Sequence, residues 1–204
     1  TVGLLDESTP AVQIAGACNA VRVAEDGRLQ GDLFDGEGFV RGLLRKGCEL
    51  KGARVLVVGA GGVGSAIAAS FAAAGIGSIG LFDARKESAE GLGLRLKKHY
   101  PSIEVSTGSN DPAGFAVVVN ATPMGMNLGD PLPMDVSRIA PDAFVGEVVM
   151  KQEMTAFLTA VKERGCRYQI GTDMLFEQIP AYLEFFGYPT TTADVLRSLA
   201  QLTY

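Results

Sequence analysis

An α/β fold built on a doubly wound parallel sheet is what this sequence predicts, on three observations. From Ala53 to Ile170, short runs rich in valine and isoleucine alternate with longer stretches of helical spacing. That is the pattern of strands buried on both faces and joined by crossover helices. The first of those strands runs straight into a glycine-rich turn that opens a helix. Finally, 204 residues with a hydrophobic content of 47% can bury one generous domain or two small ones.

The elements follow in chain order. Ahead of Leu50, "CNAVRV" reads as a short strand, "EDGR" as a turn, and "GEGFVRGLLRKG" has the apolar spacing of a helix. "ARVLVVG" is a buried strand, and "SAIAASFAAAG" an alanine-rich helix closed by Gly75. "SIGLFD" is the next strand. "KESAEGLGLRLKKHY" is helical, with its lysines and His99 at the end that suits the helix dipole and Pro101 just beyond. "IEVST", "FAVVVN" and "AFVGEVVM" are further strands, "EMTAFLTAVKERG" an amphipathic helix ending at Gly165, and "CRYQI" the last strand. Two helices close the chain, "TDMLFEQIPAYLEFFG" and "TTADVLRSLAQL", separated by "YP" and each with a threonine available as cap. Glu147 is expected as a strand-end partner and Glu153 as a first-turn helix acid, while Met124, Met126, Met150, Met154 and Met174 read as packing residues.

Composition narrows the function classes. A net charge of −5 and no clusters of Lys and Arg exclude a nucleic-acid surface, which must neutralise phosphates. Cys18, Cys48 and Cys166 are odd in number and far apart, so they support neither a disulfide framework nor a zinc site, and no metal is expected. The apolar runs are too short for a membrane span and the start lacks a signal-peptide pattern, so a cytoplasmic, membrane-free protein is the expectation.

The strongest motif is "VLVVGAGGVGSAIA". Gly59, Gly61 and Gly64 form G-x-G-x-x-G after a strand and at the mouth of a helix, the placement that distinguishes a Rossmann-type dinucleotide site from glycine-rich turn chemistry. In that reading Gly59, Ala60, Gly61, Gly62, Val63 and Gly64 bind cofactor, because the helix N-terminus offers unpaired N–H groups to a pyrophosphate. Asp83, at the end of the second strand, stands where a carboxylate accepts the adenosine ribose hydroxyls, which favours NAD; an exposed Asp opening a turn is the plainer alternative. Arg85 and Lys86 pull toward the 2′-phosphate of NADP.

Four segments, "GACNAV" (16–21), "GDLFDGEGF" (31–39), "NATPMGM" (120–126) and "GTDMLFEQ" (171–178), resemble the shikimate/quinate dehydrogenase family, and the resemblance runs along the whole chain. It implies a Rossmann domain facing a substrate domain, with hydride passing between nicotinamide and the ring carbon that bears the hydroxyl of a cyclohexene or cyclohexane carboxylic acid. The implied division is 1–46 as substrate-domain segment and linking helix, 47–171 as dinucleotide-binding domain, and 172–204 as helices returning to the substrate side. Asn120, Ala121, Thr122, Pro123 and Met124 then line the cofactor cleft, with Gly171 and Met174 also at the cofactor. Asp35 falls where the family's catalytic aspartate lies, Asn19 where its substrate-binding asparagine lies, and Gln178 where a helix glutamine meets the substrate. On the residues alone, Asp35 and Asp32 fit a glycine-rich turn as well, Asn19 a core amide, and Gln178 a surface position.

The chain also departs from the family. There a Lys–Asp pair handles the proton, and the lysine belongs to a Pro-His-Lys or similar segment ahead of the portion that "TVGLLDESTP" matches. The resemblance therefore implies that this lysine and about the first half of the substrate domain are missing from these 204 residues, with Lys46 a poor substitute. Either these residues belong to a longer chain or the missing part is supplied separately; where it is absent altogether, cofactor binding without appreciable turnover is the expectation. Leu33 and Phe34 replace polar neighbours of the acid, and Met150 stands where a substrate-contacting tyrosine is common. A paralogue acting on a less hydroxylated acid, or an NAD(H)-sensing module without chemistry, fits these changes. Another Rossmann enzyme, such as an amino-acid or tetrahydrofolate-linked dehydrogenase, should lack the pairing of the third and fourth segments. The partner expected is a small molecule, and a homodimer is compatible with the resemblance.

Overall fold

The computed structural model describes residues 2–202; residue 1 and residues 203–204, the extreme ends of the two outer segments, lie outside the described residues. The chain opens with β1 (Glu7–Ser8), α1 (Pro10–Ala15), β2 (Ala20–Val23) and β3 (Leu29–Asp32). β3 is the centre of a small sheet, parallel to β1 and antiparallel to β2, and Gly27 at φ 84° makes the turn at "EDGR". The sequence reading found neither β1 nor α1. Yet α1 carries local marks: Thr9 accepts from Val12 N, Pro10 opens the helix, and Gly16 at φ 68° ends it.

Next come α2 (Asp35–Arg45), β4 (Arg54–Val58), α3 (Gly62–Ala73), β5 (Ser78–Phe82), α4 (Lys86–His99), β6 (Glu104–Thr107), β7 (Val117–Asn120), β8 (Phe144–Glu147), α5 (Ala156–Glu163) and β9 (Arg167–Gln169). The six strands form one sheet in the order β6-β5-β4-β7-β8-β9, all parallel, so the winding reverses between β4 and β7. Alternation along β4 feeds two cores. Val55 and Val57 pack with Ile67 and Phe71 of α3 and Leu92 of α4, whereas Leu56 and Val58 pack with Phe157, Leu158 and Val161 of α5. Both faces are thus covered, which is why these strands read as unbroken apolar runs. α5 starts at Ala156 behind its Thr155 cap, so Glu153 precedes the helix instead of sitting in its first turn.

The chain ends with α6 (Gly171–Phe185) and α7 (Ala193–Leu199). Thr192 caps α7, but α6 is capped otherwise: Thr172 lies inside it, and the Asp173 carboxylate accepts from Ile170 N at 3.2 Å. Arg197 of α7 reaches Asp173 at 3.1 Å and Glu177 at 3.3 Å. α2 is wedged between α3 and α6 by two glycines. A Cβ on Gly36 would lie 2.0 Å from Ala66 O, and one on Gly38 2.6 Å from Met174 O. Among the described residues no helix is long and apolar enough to cross a membrane.

Candidate active site

The parallel register sets the ends of β5, β4, β7 and β8 level, pairing Val58 with Phe82 and Asn120, and Asn120 with Glu147. The segments leaving those strands therefore gather at one edge, where the winding reverses, the place at which open α/β sheets bind ligands. There they enclose a cleft of about 690 Å³, lined by Gly59, Gly61, Gly62 and Val63 on one side and by Ala121 to Met124 on the other. Gly59, at φ 106°, makes the tight bend, and a Cβ on it would lie 2.5 Å from Ala121 O. A Cβ on Gly64 would meet Gly59 O at 1.9 Å, so that glycine lets α3 close on β4. Gly61 and Gly62 have nothing within 4 Å of a Cβ and face the cleft. No side chain caps α3, so its first N–H groups are left for a ligand. This donor set and open cradle fit a dinucleotide pyrophosphate.

Asp83 braces the turn. Its Oδ2 accepts from Ala60 N at 2.7 Å and its Oδ1 from Arg85 N at 2.9 Å, while the Arg85 side chain beyond it is 78% exposed. Opposite, Asn120 is fully buried and shapes the next loop: its Nδ2 donates to Met124 O at 3.0 Å and Glu147 Oε1 at 2.7 Å, and its Oδ1 accepts from Thr122 N and Oγ1. Glu147, also 0% exposed, accepts from Thr155 Oγ1 at 2.5 Å. Its partners are neutral, and burial pushes its carboxyl above the usual range.

A second group gathers where α2 begins. Asn19 Nδ2 donates to Asp35 Oδ2 at 2.9 Å, and its Oδ1 accepts from Phe34 N at 3.2 Å. Asn19 is exposed, so the core-amide reading is set aside. Burial pushes the Asp35 carboxyl up against the lowering effect of its own backbone and Asn19. On α6, Gln178 is half-buried with an unpartnered Oε1, and Tyr182 lies edge-on to Phe34 with ring centroids 4.9 Å apart. Burial and then the Asp35 charge push the Tyr182 phenol up to about 12.

The ThiF family model matches residues 44–87, the stretch containing β4, the glycine turn, α3 and β5. The shikimate dehydrogenase (NADP(+)) of Rubrobacter xylanophilus is 36% identical over 179 residues, covering 86% of this chain and 63% of that protein. The quinate/shikimate dehydrogenase of Shigella flexneri is 32% identical over 186 residues, covering 85% of this chain and 74% of that protein. The chain belongs to the shikimate/quinate dehydrogenase family. A crystal structure of shikimate 5-dehydrogenase from Listeria monocytogenes, in complex with shikimate and NAD, superposes with a TM-score of 0.89 at 25% identity, over 97% of this chain and 72% of that one. The chain thus spans 63–74% of the length of these two curated relatives.

Within that family framework the structure sorts the sequence-predicted residues into three sets. Gly59, Gly61, Gly62, Val63, Asp83, Arg85, Ala121, Thr122, Pro123 and Met124 line the cleft. Ala60, Gly64 and Asn120 stand behind it as supports. Gly171 and Met174 are not among its lining residues: a Cβ on Gly171 would lie 2.1 Å from Val149 O, and Met174 is in the core. Asn19 and Asp35 meet each other, with Gln178 on the helix facing them. Lys46 does not join Asp35; it is bonded to Asp173 at 2.5 Å. Leu33 and Phe34 are buried in small apolar clusters. Met124, Met126 and Met150 are exposed instead of packed, and the first two face the cleft, where bend-rich loops hold them outside the core. Sequence reasoning missed Tyr182, whose one signal is its place a helical turn beyond Gln178, and the role of Glu147 as a support of the Asn120 loop.

Proposed function

We propose that this chain is the cofactor-binding and part of the substrate-binding body of an NAD(P)-dependent oxidoreductase, which interconverts a ring hydroxyl and a ketone on a shikimate-like acid, shikimate and 3-dehydroshikimate being the named pair. The observation that carries the reading is the meeting of the open Gly59–Gly64 turn, Asp83 and the Asn120–Met124 loop around one cleft of about 690 Å³, within the size range of small-molecule sites. The Listeria relative, in complex with shikimate and NAD, supports both ligand classes.

When bound, the nicotinamide supplies the hydride acceptor or donor. The chain's own residues do the rest. N–H groups at the start of α3 hold the pyrophosphate, and Asp83 fixes the bend while keeping lone pairs for a ribose hydroxyl, which favours NAD. Asn19 holds Asp35 Oδ2, so Oδ1 is left to accept a hydrogen bond from the substrate hydroxyl and orient it. Residues 1–46 and 172–204 form the substrate side of this arrangement. The proton-transfer partner of Asp35 is not Lys46, which is engaged by Asp173.

The test is calorimetric. NADH should bind the unmodified chain, and shikimate should bind in the presence of saturating NAD. Asp35→Ala should weaken shikimate at least tenfold, the effect of losing one charge-assisted hydrogen bond, and leave NADH affinity unchanged. Absence of nucleotide binding by folded protein would overturn the reading, and unchanged shikimate affinity in the variant would remove Asp35 from it.

A further inference from the structure

The helices that carry Asp35 and Gln178 run antiparallel, and their contacts fix the register. Lys46, just past the end of α2, meets Asp173 in the first turn of α6. A Cβ on Gly38 would touch Gln178 Cβ at 2.6 Å, and Phe34, which precedes α2, meets Tyr182. Asp35 therefore starts α2 beside the turn of α6 that contains Tyr182. Gln178 and Tyr182, four residues apart, share one face of α6.

From this geometry we propose that Tyr182 is a substrate-specificity residue, its hydroxyl donating to a ring hydroxyl of the ligand that in turn donates to Asp35. The proposal rests on the function proposed above and deepens it by naming how a polyhydroxylated ring is told from a bare one. Three observations carry it. The Tyr182 hydroxyl makes no hydrogen bond among the described residues, its ring packs on Phe34, the residue before Asp35, and Asp35 Oδ1 has no side-chain partner, so a donor and an acceptor are left unpaired at the same end of the two helices. Its ring is fixed by Phe34, whose own backbone N–H is held by Asn19, so the phenol is oriented by the same residue that orients the acid. The phenol keeps its proton at every working pH, because burial and the Asp35 charge oppose its loss, so beside an ionised Asp35 it acts as donor. A hydroxyl, which both accepts and donates, satisfies the two; a hydrogen-bond-free methylene leaves both unpaired.

Tyr182→Phe removes one oxygen and keeps the ring on Phe34. By calorimetry with saturating NAD, shikimate should bind this variant about tenfold more weakly than the unmodified chain, the effect of one hydrogen bond. Cyclohex-1-ene carboxylic acid, which has no ring hydroxyl, should bind both proteins equally, and NADH affinity should not change. Equal shikimate affinity in the two proteins overturns the proposal, and so does a parallel loss for both acids, which would show a structural role only. Failure of the unmodified chain to bind shikimate overturns the parent reading, and this proposal with it, and is seen before any variant is made.

Discussion

Gly61 and Gly64 belong to one motif but are needed for different reasons, and replacing each by alanine separates folding from binding. At Gly64 the new Cβ would lie 1.9 Å from Gly59 O and 2.9 Å from Gly59 C, both backbone atoms. Gly59 cannot yield easily, since its N–H is bonded to Phe82 O at 2.7 Å and its φ of 106° has no alternative for the bend. α3 must therefore lift off β4. Overpacking of this kind costs about 1–3 kcal/mol, here at the upper end, and the better helix propensity of alanine returns up to about 1 kcal/mol. A net loss of about 2 kcal/mol corresponds in a chain of this size to a fall in Tm of roughly 4–8 °C.

At Gly61 nothing lies within 4 Å of a Cβ, and φ −75°, ψ −165° suits any residue. Alanine is a poorer cap than glycine, so about 0.5 kcal/mol is lost, a change in Tm of roughly 1–2 °C. The methyl group would, however, project where a pyrophosphate must approach the backbone, and nucleotide affinity should fall at least about tenfold. Scanning calorimetry measures the first quantity, and titration followed by NADH fluorescence the second. Gly61→Ala binding NADH and NADPH like the unmodified chain would refute the cradle, and Gly64→Ala melting with the unmodified chain would refute the close-packing argument.

Two further outcomes follow from the same edge of the sheet. Burial holds the Glu147 carboxyl above its ordinary 4.5, so the folded chain keeps a proton that the unfolded chain releases; this stability is fully present below pH 4.5 and lost as pH rises through the raised value. Glu147→Gln should remove that part of the slope in urea midpoints followed from pH 4.5 to neutrality, and parallel profiles for the two proteins would refute it. Arg85, being largely exposed beside the braced Asp83, should serve only a 2′-phosphate: Arg85→Ala should weaken NADPH several-fold, leave NADH unchanged, and leave NADH the tighter ligand. Tighter NADPH binding by the unmodified chain would contradict the NAD preference.

The larger sheet was legible because its central strands β4, β5 and β7 are local, largely apolar runs, and the cofactor turn because its glycines sit between a strand and a helix. The small sheet was not. β1 is two residues long and finds its partner in β3, with Glu7 opposite Gln30, a pairing that no local pattern announces. α1 is six residues, too short for an apolar period to show, although Thr9, Pro10 and Gly16 mark its ends. The cap of α6 was misplaced because a threonine was available in sequence, whereas the arrangement that forms uses Asp173, which also receives Lys46 and Arg197 from elsewhere in the chain. Side chains recruited by distant partners are the ones a linear reading loses.

The same logic explains why the polar ends of the strands matter more than their apolar interiors. "VVVN" and "FVGE" are buried throughout, yet each finishes on a group that must be hydrogen-bonded. Parallel pairing brings Asn120 opposite Glu147, so each satisfies the other, and what remains of Asn120 reaches forward to Thr122 and Met124. The conformation of the cleft-lining loop is therefore dictated from behind, by two fully buried residues that are not part of the cleft lining. A change at Glu147 should be felt across the cleft, at Met124, before it is felt in the core.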